Sequence, residues 1–217
     1  MTKKKFKKFF NKKKILITGN TGFVGSYLSI ALKTLGSNVL GYSLKKKYQR
    51  YLSNSLQYKK NIVTINDDIL NIKKHQKKIK KFKPQILIHL AAQPIVKDSY
   101  INTKKTYVTN ILGSIELLEM VKNISSIKHI IVFTSDKVYE NLNATKLNES
   151  SNLGGIDPYS ASKSSQDIIT RSYKESFFKR NKNVIIVRAG NIIGGGDFSF
   201  SRLLPEVFLN LFIKKNK

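Results

Sequence analysis

The chain has 217 residues and carries 40 Lys+Arg against 13 Asp+Glu, a formal net charge of +27. With 41% hydrophobic residues it is too apolar for a disordered polycation and has enough for one globular core, while the absence of cysteine excludes disulfide scaffolds, thiol catalysis and cysteine-ligated metal centres. The charge suggests a nucleic-acid or anionic-membrane partner, but only Arg50, Arg171, Arg180, Arg188 and Arg202 are arginines, and phosphate and guanine recognition leans on Arg.

Residues 1 to 14 read as a basic tail with Phe6, Phe9 and Phe10 interleaved, either a solvated arm or a weak contact with a membrane surface or nucleic acid. No signal-peptide core follows it and no apolar run approaches the roughly 18 residues of a membrane span, so a cytoplasmic address is expected. From Ile15 to Tyr42, Lys33 is the only charged residue, which marks the start of a buried unit. Lys14 to Thr18 predicts a strand, Phe23 to Leu35 a helix ended by Gly36, and Asn38 to Tyr42 a second strand. Further strands are expected at Ile62 to Ile65, Ile86 to Leu90, Ile130 to Thr134 and Val184 to Arg188. Between them Thr103 to Lys122 has the clearest helical period, with Val108, Ile111, Leu112, Ile115, Leu118 and Val121 on one stripe.

Strands apolar on both faces and alternating with helices predict an α/β fold, a doubly wound parallel sheet of Rossmann type. The lysine clusters at 45 to 47, 59 to 60 and 73 to 83 fall on predicted loops and helix exteriors, which reads the charge as a solvated surface. The three histidines, His75, His89 and His129, have no metal-site spacing.

The first strand runs into Gly19-Asn20-Thr21-Gly22-Phe23-Val24-Gly25 and then a helix. Such a turn curls tightly, brings main-chain N–H groups to a pyrophosphate and packs helix on strand, so dinucleotide binding is expected there. At the end of the second strand, where an acidic residue ordinarily meets the adenosine ribose, stands Tyr42-Ser43-Leu44 followed by Lys45, Lys46 and Lys47. Ser43 suits a 2′-hydroxyl and the lysines suit a 2′-phosphate, so NAD and NADP both stay open. Asp68 and Ile69 are placed to meet the adenine, and Asp68 also suits a helix N-cap.

Thr134-Ser135-Asp136-Lys137-Val138-Tyr139 closes the fifth strand, and Tyr159-Ser160-Ala161-Ser162-Lys163 follows after Pro158. Tyr and Lys at i and i+4 share a helix face, and an ammonium beside a phenol pulls its pKa down from about 10.

Together the glycine turn, Leu90-Ala91-Ala92, Asn110, Ser135 and the Tyr159/Lys163 pair resemble the extended short-chain dehydrogenase/reductases that act on nucleotide sugars. The finer resemblance is to that family's CDP-glucose 4,6-dehydratase branch. It rests on TGNTGFVGSYL (18 to 28), HLAAQPIV (89 to 96), TSDKVYEN (134 to 141), LGGIDPYSASK (153 to 163) and RAGNIIGGGD (188 to 197). In relatives acting on dTDP-glucose a Glu follows the Asp, and in epimerases the pair is missing.

The resemblance implies that Tyr159 takes the C4 hydroxyl proton while hydride leaves C4, with Ser135 holding the oxygen and Lys163 anchoring ribose and phenolate. It assigns Asp136 as acid and Lys137 as base for loss of water across C5 and C6. A base must be without its proton for part of the time; burial or Lys163 would favour that in Lys137, whereas Asp136 pulls the other way. It also implies that Gly19, Thr21, Gly22, Phe23, Val24 and Gly25, with Leu90, Ala91, Ala92, Gln93 and Asn110, hold the cofactor. Gln93, Ser135, Asn191 and Arg202 would meet a CDP-glucose substrate.

The expected organisation is a basic tail at 1–14, an NAD(P)-binding domain at 15–190 and the beginning of an incomplete substrate-binding domain at 191–217. The relatives are markedly longer, so either a longer reading frame or a partner chain is expected to complete the site, in a homodimer or homotetramer at full length. An exposed helix end and an unpaired sheet edge are the expected liabilities. No nucleic-acid partner and no membrane span are expected. An epimerase or reductase on another nucleotide sugar, and an inactive basic dinucleotide-fold protein binding polyanions, stay open as alternatives.

Overall fold

The computed structural model describes residues 3–45, 58, 61–141, 146–197, 199 and 201–213. Lys46, Lys47, Lys59 and Lys60, named above for the ribose or for surface charge, lie outside the described residues.

Six parallel strands, β1 (Lys14–Thr18), β2 (Asn38–Ser43), β3 (Val63–Asn66), β4 (Ile86–His89), β5 (His129–Phe133) and β6 (Asn183–Val187), form one sheet in the order β3-β2-β1-β4-β5-β6. This is the doubly wound arrangement expected, with strand bounds shifted by about one residue. The alternation of strand side chains divides the core in two. Leu16, Leu40, Leu87, Ile130 and Val132 pack on one face under Leu117, Leu118 and Val121. Ile15, Ile17, Val39, Ile86 and Ile88 pack on the other under Leu32. Ile15, Leu16 and Ile17 are fully enclosed, and burial of each such side chain is worth about 1.5–3 kcal/mol.

The chain order reverses between β1 and β4, where the segments leaving the two strands diverge and open a crevice at their C-terminal ends. Around the sheet run α1 (Lys3–Phe10), α2 (Phe23–Thr34), α3 (Gln76–Phe82), α4 (Val96–Ile101), α5 (Thr103–Tyr107), α6 (Gly113–Lys122), α7 (Pro158–Tyr173) and α8 (Leu203–Ile213). Gly36 takes φ 90° just past α2 and its N–H returns to Lys33 O, the helix stop that the sequence predicts.

Two expectations need correction. The segment read as a solvated arm is helical over Lys3–Phe10, as α1. Phe6, Phe9 and Phe10 fall at i, i+3 and i+4, Phe10 packs on the core, and its carbonyl accepts the Ser37 hydroxyl. Thr103 to Lys122 is not one regular helix: a π turn at Val108–Leu112 separates α5 from α6. The extra residue shifts the helix phase by about 100°. Thr106, Asn110, Gly113 and Ser114 therefore face inward, and Leu112 of the predicted stripe is exposed.

In α7 the buried residues are Ser160, Ser162, Lys163, Ser164, Gln166, Asp167 and Thr170, all polar, while Ile168 faces out. Such a face is tolerable only if hydrogen-bonded, and partners come from Asn110 in the π turn, Ser114 on α6, Phe133 on β5 and Arg188 just past β6. At the expected liabilities, Ile185 on edge strand β6 and Leu203, Phe208 and Leu211 on α8 are exposed. Among the described residues no helix is long and apolar enough to cross a membrane.

Candidate active site

The glycine turn sits at the β1 end of the crevice. Gly19 has φ +73°, and a Cβ there would lie 2.7 Å from Ala91 N, so this glycine is what lets the turn close against the segment after β4. At Gly25 a Cβ would run into Gly19 O. Gly22 starts α2 with no side chain capping the first N–H groups, so these donors and the positive end of the helix dipole face the turn. The result is a cradle for phosphate oxygens, into which glycines admit a ligand where side chains would not. Phe23 lies edge-on to Tyr27 at 5.6 Å and beneath Gly194, and Tyr27 donates to Gly195 O at 2.7 Å. Val24 follows Phe23 in the first turn of the helix.

Asn20, without a role in the sequence reading, ties this turn to the sheet. Its side chain lies under Gly41 and donates to Tyr58 Oη (2.7 Å) and Thr64 Oγ1 (2.8 Å). Ser43 Oγ lies 2.7 Å from Thr21 Oγ1, so the residue expected at the ribose is joined to the phosphate turn.

Asp68 is the N-cap of a 3₁₀ turn at Ile69–His75, accepting from Leu70 N at 3.0 Å. Ile69 is buried against Gly113, so its side chain belongs to the core and only its backbone remains for an adenine. Beside them the hydrogen bond from His75, then those from Asn71 and the Asp68 N–H, hold the Asp67 carboxyl down to about 2.

After β4 the chain passes through Leu90, Ala91, Ala92 and Gln93. Leu90 N donates to Thr18 O and Ala91 N to Thr18 Oγ1, fixing this segment beside the glycine turn. Asn110, buried in the π turn, accepts from Gln93 N (2.8 Å) and donates to Gln93 O (3.1 Å) and Ser162 Oγ (2.8 Å). One amide thus fastens the β4 segment to α7. Gln93 spends its own amide on Ile95 N, Ile95 O and Thr106 Oγ1. Its side chain shapes the loop, which leaves little of it for the substrate contact expected.

Ser135 is extended and 5% exposed at the end of β5. Its Oγ donates to Asp136 Oδ1 (3.1 Å) and accepts from Lys137 N (3.2 Å). Asp136 is exposed and Lys137 half-buried on a 3₁₀ turn, Asp136–Val138, anchored by Asp136 N to Ala189 O. Among the described residues no ion pair joins Asp136 to Lys137.

The expected ammonium beside the phenol is not found. Lys163 is fully enclosed, and its Nζ donates to Phe133 O (2.9 Å) and Gln166 Oε1 (2.7 Å). Burial pushes this amine down to about 7. Burial also pushes the Tyr159 phenol up, opposed by the Ser135 side chain and the charge of Arg202. The helix sets both residues on one face, but the long lysine chain runs on into the polar interior behind the tyrosine.

Arg202 is therefore more than a surface residue: it pairs with Asp197 (3.1 Å) and its charge reaches Tyr159. Asn191 is exposed, on the segment between β6 and α8.

A cluster absent from the sequence reading stiffens the far side. Asp167, fully buried, receives Arg188 Nε at 2.9 Å and Arg171 Nε at 2.8 Å. Arg188 also lies over the Tyr139 ring at 4.8 Å, and both arginines donate to Glu149 O. Among the described residues no group of three metal-ligating side chains exists.

The sequence model of the GDP-mannose 4,6 dehydratase family matches residues 16–206. The chain is 38% identical over 215 residues to a CDP-glucose 4,6-dehydratase of Salmonella typhimurium, covering 93% of this chain and 58% of that protein. It is 34% identical to a dTDP-D-glucose 4,6-dehydratase of Dictyostelium discoideum, covering 94% and 49%. The chain thus spans between half and three-fifths of the length of these relatives. Among solved structures, a dTDP-glucose 4,6-dehydratase of Bacillus anthracis in complex with NAD superposes with a TM-score of 0.77 at 25% identity, over 93% of this chain and 62% of that one.

Proposed function

The chain belongs to the GDP-mannose 4,6 dehydratase family, and on that premise we propose that it carries the cofactor-binding and catalytic part of a cytoplasmic, NAD-dependent nucleotide-sugar 4,6-dehydratase acting on CDP-glucose. The observation that carries the reading is the turn after β5 that Ser135 opens, with Asp136 and Lys137 on it and Tyr159 in the first turn of α7. The CDP-glucose assignment draws on the 38% identical relative.

The glycine cradle, with Ser43 and Asp68 at its adenosine side, fits a dinucleotide; once bound there, NAD would accept a hydride from the sugar's C4 and return it to C6. Tyr159 removes the C4 hydroxyl proton, and Ser135 holds that oxygen through its hydroxyl. The C4 ketone acidifies the C5–H. Lys137 takes the C5 proton as Asp136 delivers one to the C6 oxygen, which departs as water and leaves the C5=C6 alkene. Lys163, whose amine is held in the interior by Phe133 O and Gln166, backs the helix face that carries Tyr159 rather than reaching a ribose, and Arg202, exposed in part, offers a guanidinium to the diphosphate. The assembled enzyme is taken to be a homodimer or homotetramer.

Incubation with NAD and CDP-glucose should release one water per sugar and yield the 4-keto-6-deoxy product, detected by mass spectrometry and NMR. Lys137→Ala should abolish water loss while exchange of hydride at C4 persists. A C4 epimer with no loss of water would overturn the proposal, and preference for dTDP-glucose would overturn the CDP assignment alone.

A further inference from the structure

Behind Tyr159 a row of buried polar side chains crosses the sheet from β1 to α7. Thr18 Oγ1 lies 2.6 Å from His89 Nδ1, and His89 Nε2 lies 3.0 Å from Ser114 Oγ. Ser114 Oγ donates to Asn110 O at 2.6 Å and receives Gln166 Nε2 at 2.7 Å. Gln166 Oε1 then accepts from Lys163 Nζ. Thr18, His89, Ser114 and Gln166 are each no more than 1% exposed, and Lys163 is 4% exposed.

The proton count fixes every direction in this row. A serine hydroxyl has a single hydrogen, and that of Ser114 is committed to Asn110 O. Ser114 Oγ therefore only accepts from its other neighbours. His89 must then carry its proton on Nε2 and accept from the Thr18 hydroxyl at Nδ1, a neutral tautomer consistent with burial, then the charge of Lys163, pushing this imidazole down to about 3. Gln166 must likewise give its NH₂ to Ser114, which turns its carbonyl oxygen to Lys163. With Phe133 O this makes two acceptors at Nζ, matching the two N–H bonds of a neutral amine, whose lone pair then faces neither.

We propose that Gln166 is a positioning residue for Lys163: oriented by Ser114, its carbonyl anchors the amine at the end of β5 and sets how much of it is protonated. The titratable groups near the amine are the neutral His89 from β4 and, on α7, Tyr159 one turn earlier and the buried Asp167 one turn later, the last paired with Arg171 and Arg188. The inference rests on Lys163 belonging to the catalytic group, but its test reads the amine directly and holds whatever sugar the enzyme takes.

The whole chain is labelled with [13Cε]lysine, and the resonance missing from Lys163→Met is followed through a pH titration without cofactor. Gln166→Glu, which places a carboxylate against the amine, should raise the midpoint by about one pH unit or more, a tenfold change in proton affinity. Gln166→Leu should lower it, and the acid limb of the pH–rate profile should move in the same direction. Thermal melts identify a variant that fails to fold, and Gln166→Glu, an isostere, serves if Leu is not tolerated. An unmoved midpoint in a folded variant overturns the proposal. Loss of rate with an unmoved midpoint overturns it equally, as the mark of a merely structural glutamine.

Discussion

Replacing Lys163 by methionine should favour the variant over the wild type more at neutral pH than at higher pH. The amine is enclosed, and its pKa is lowered from 10.5 to about 7 by desolvation. Between these values the unfolded chain binds more protons than the folded one, so stability rises with pH across this window and is flat below about 7. At pH 7 the folded amine is half protonated and the accumulated penalty is on the order of 4 kcal/mol at about 1.4 kcal/mol per pH unit. Raising the pH to about 9 recovers about 2 kcal/mol of it. Methionine fills a similar volume but leaves Phe133 O and Gln166 Oε1 without this donor, at about 1–3 kcal/mol for each buried acceptor, which offsets the relief at pH 7. The decisive quantity is the difference between the two proteins' unfolding free energies by urea at pH 7 and at pH 9. It should change by about 2 kcal/mol in favour of the wild type at the higher pH. A difference that stays constant between the two pH values would refute the buried, downshifted amine.

Gly25→Ala sets a methyl group into Gly19 O; backbone must move, costing about 1–3 kcal/mol, and NADH fluorescence titration should show binding weakened at least tenfold. Near-normal binding would mean that the turn is not the phosphate cradle. Asp167→Ala leaves the 9%-exposed Arg188 side chain without its carboxylate and should cost about 3–5 kcal/mol in urea unfolding; a cost below about 1 kcal/mol would reduce the cluster to a surface pair. Asp67, held down to about 2 chiefly by His75, adds stability that is complete above the ordinary carboxylate pKa of about 4 and is lost as pH falls toward 2. Its carboxyl 13C resonance should titrate near 2 and return toward 4 in His75→Ala.

The sheet was legible because its signal is apolar. Ile15 to Ile17 and Ile86 to Ile88 bury aliphatic side chains on both faces, and a short run of such residues has few other uses. The glycine turn and the shared helix face of Tyr159 and Lys163 were readable from spacing, but not the course of the lysine side chain, which runs inward to Phe133 O and Gln166. What escaped is polar burial. The inner face of α7 carries serines, Gln166, Asp167 and Lys163, a pattern that by composition reads as a solvent-exposed helix. The partners that make its burial tolerable lie about 50 residues away, |i−j| = 52 for Gln166 and Ser114. The tail was misread for the converse reason: five lysines in α1 outweighed the i, i+3, i+4 phenylalanines that fasten it.

The π turn at Val108–Leu112 carries a consequence for how this chain tolerates insertion and deletion. Removing one residue there would restore an unbroken α-helix and gain local regularity. Every side chain upstream would then rotate by about 100° against those downstream. Asn110 and Thr106 could no longer face Gln93 while Ser114 faced Gln166. The surplus residue thus acts as a reading-frame device in three dimensions, keeping two sets of polar contacts in phase on one rod. A single-codon deletion in this stretch should behave like a loss-of-function allele, whereas one in an exposed loop should pass unnoticed.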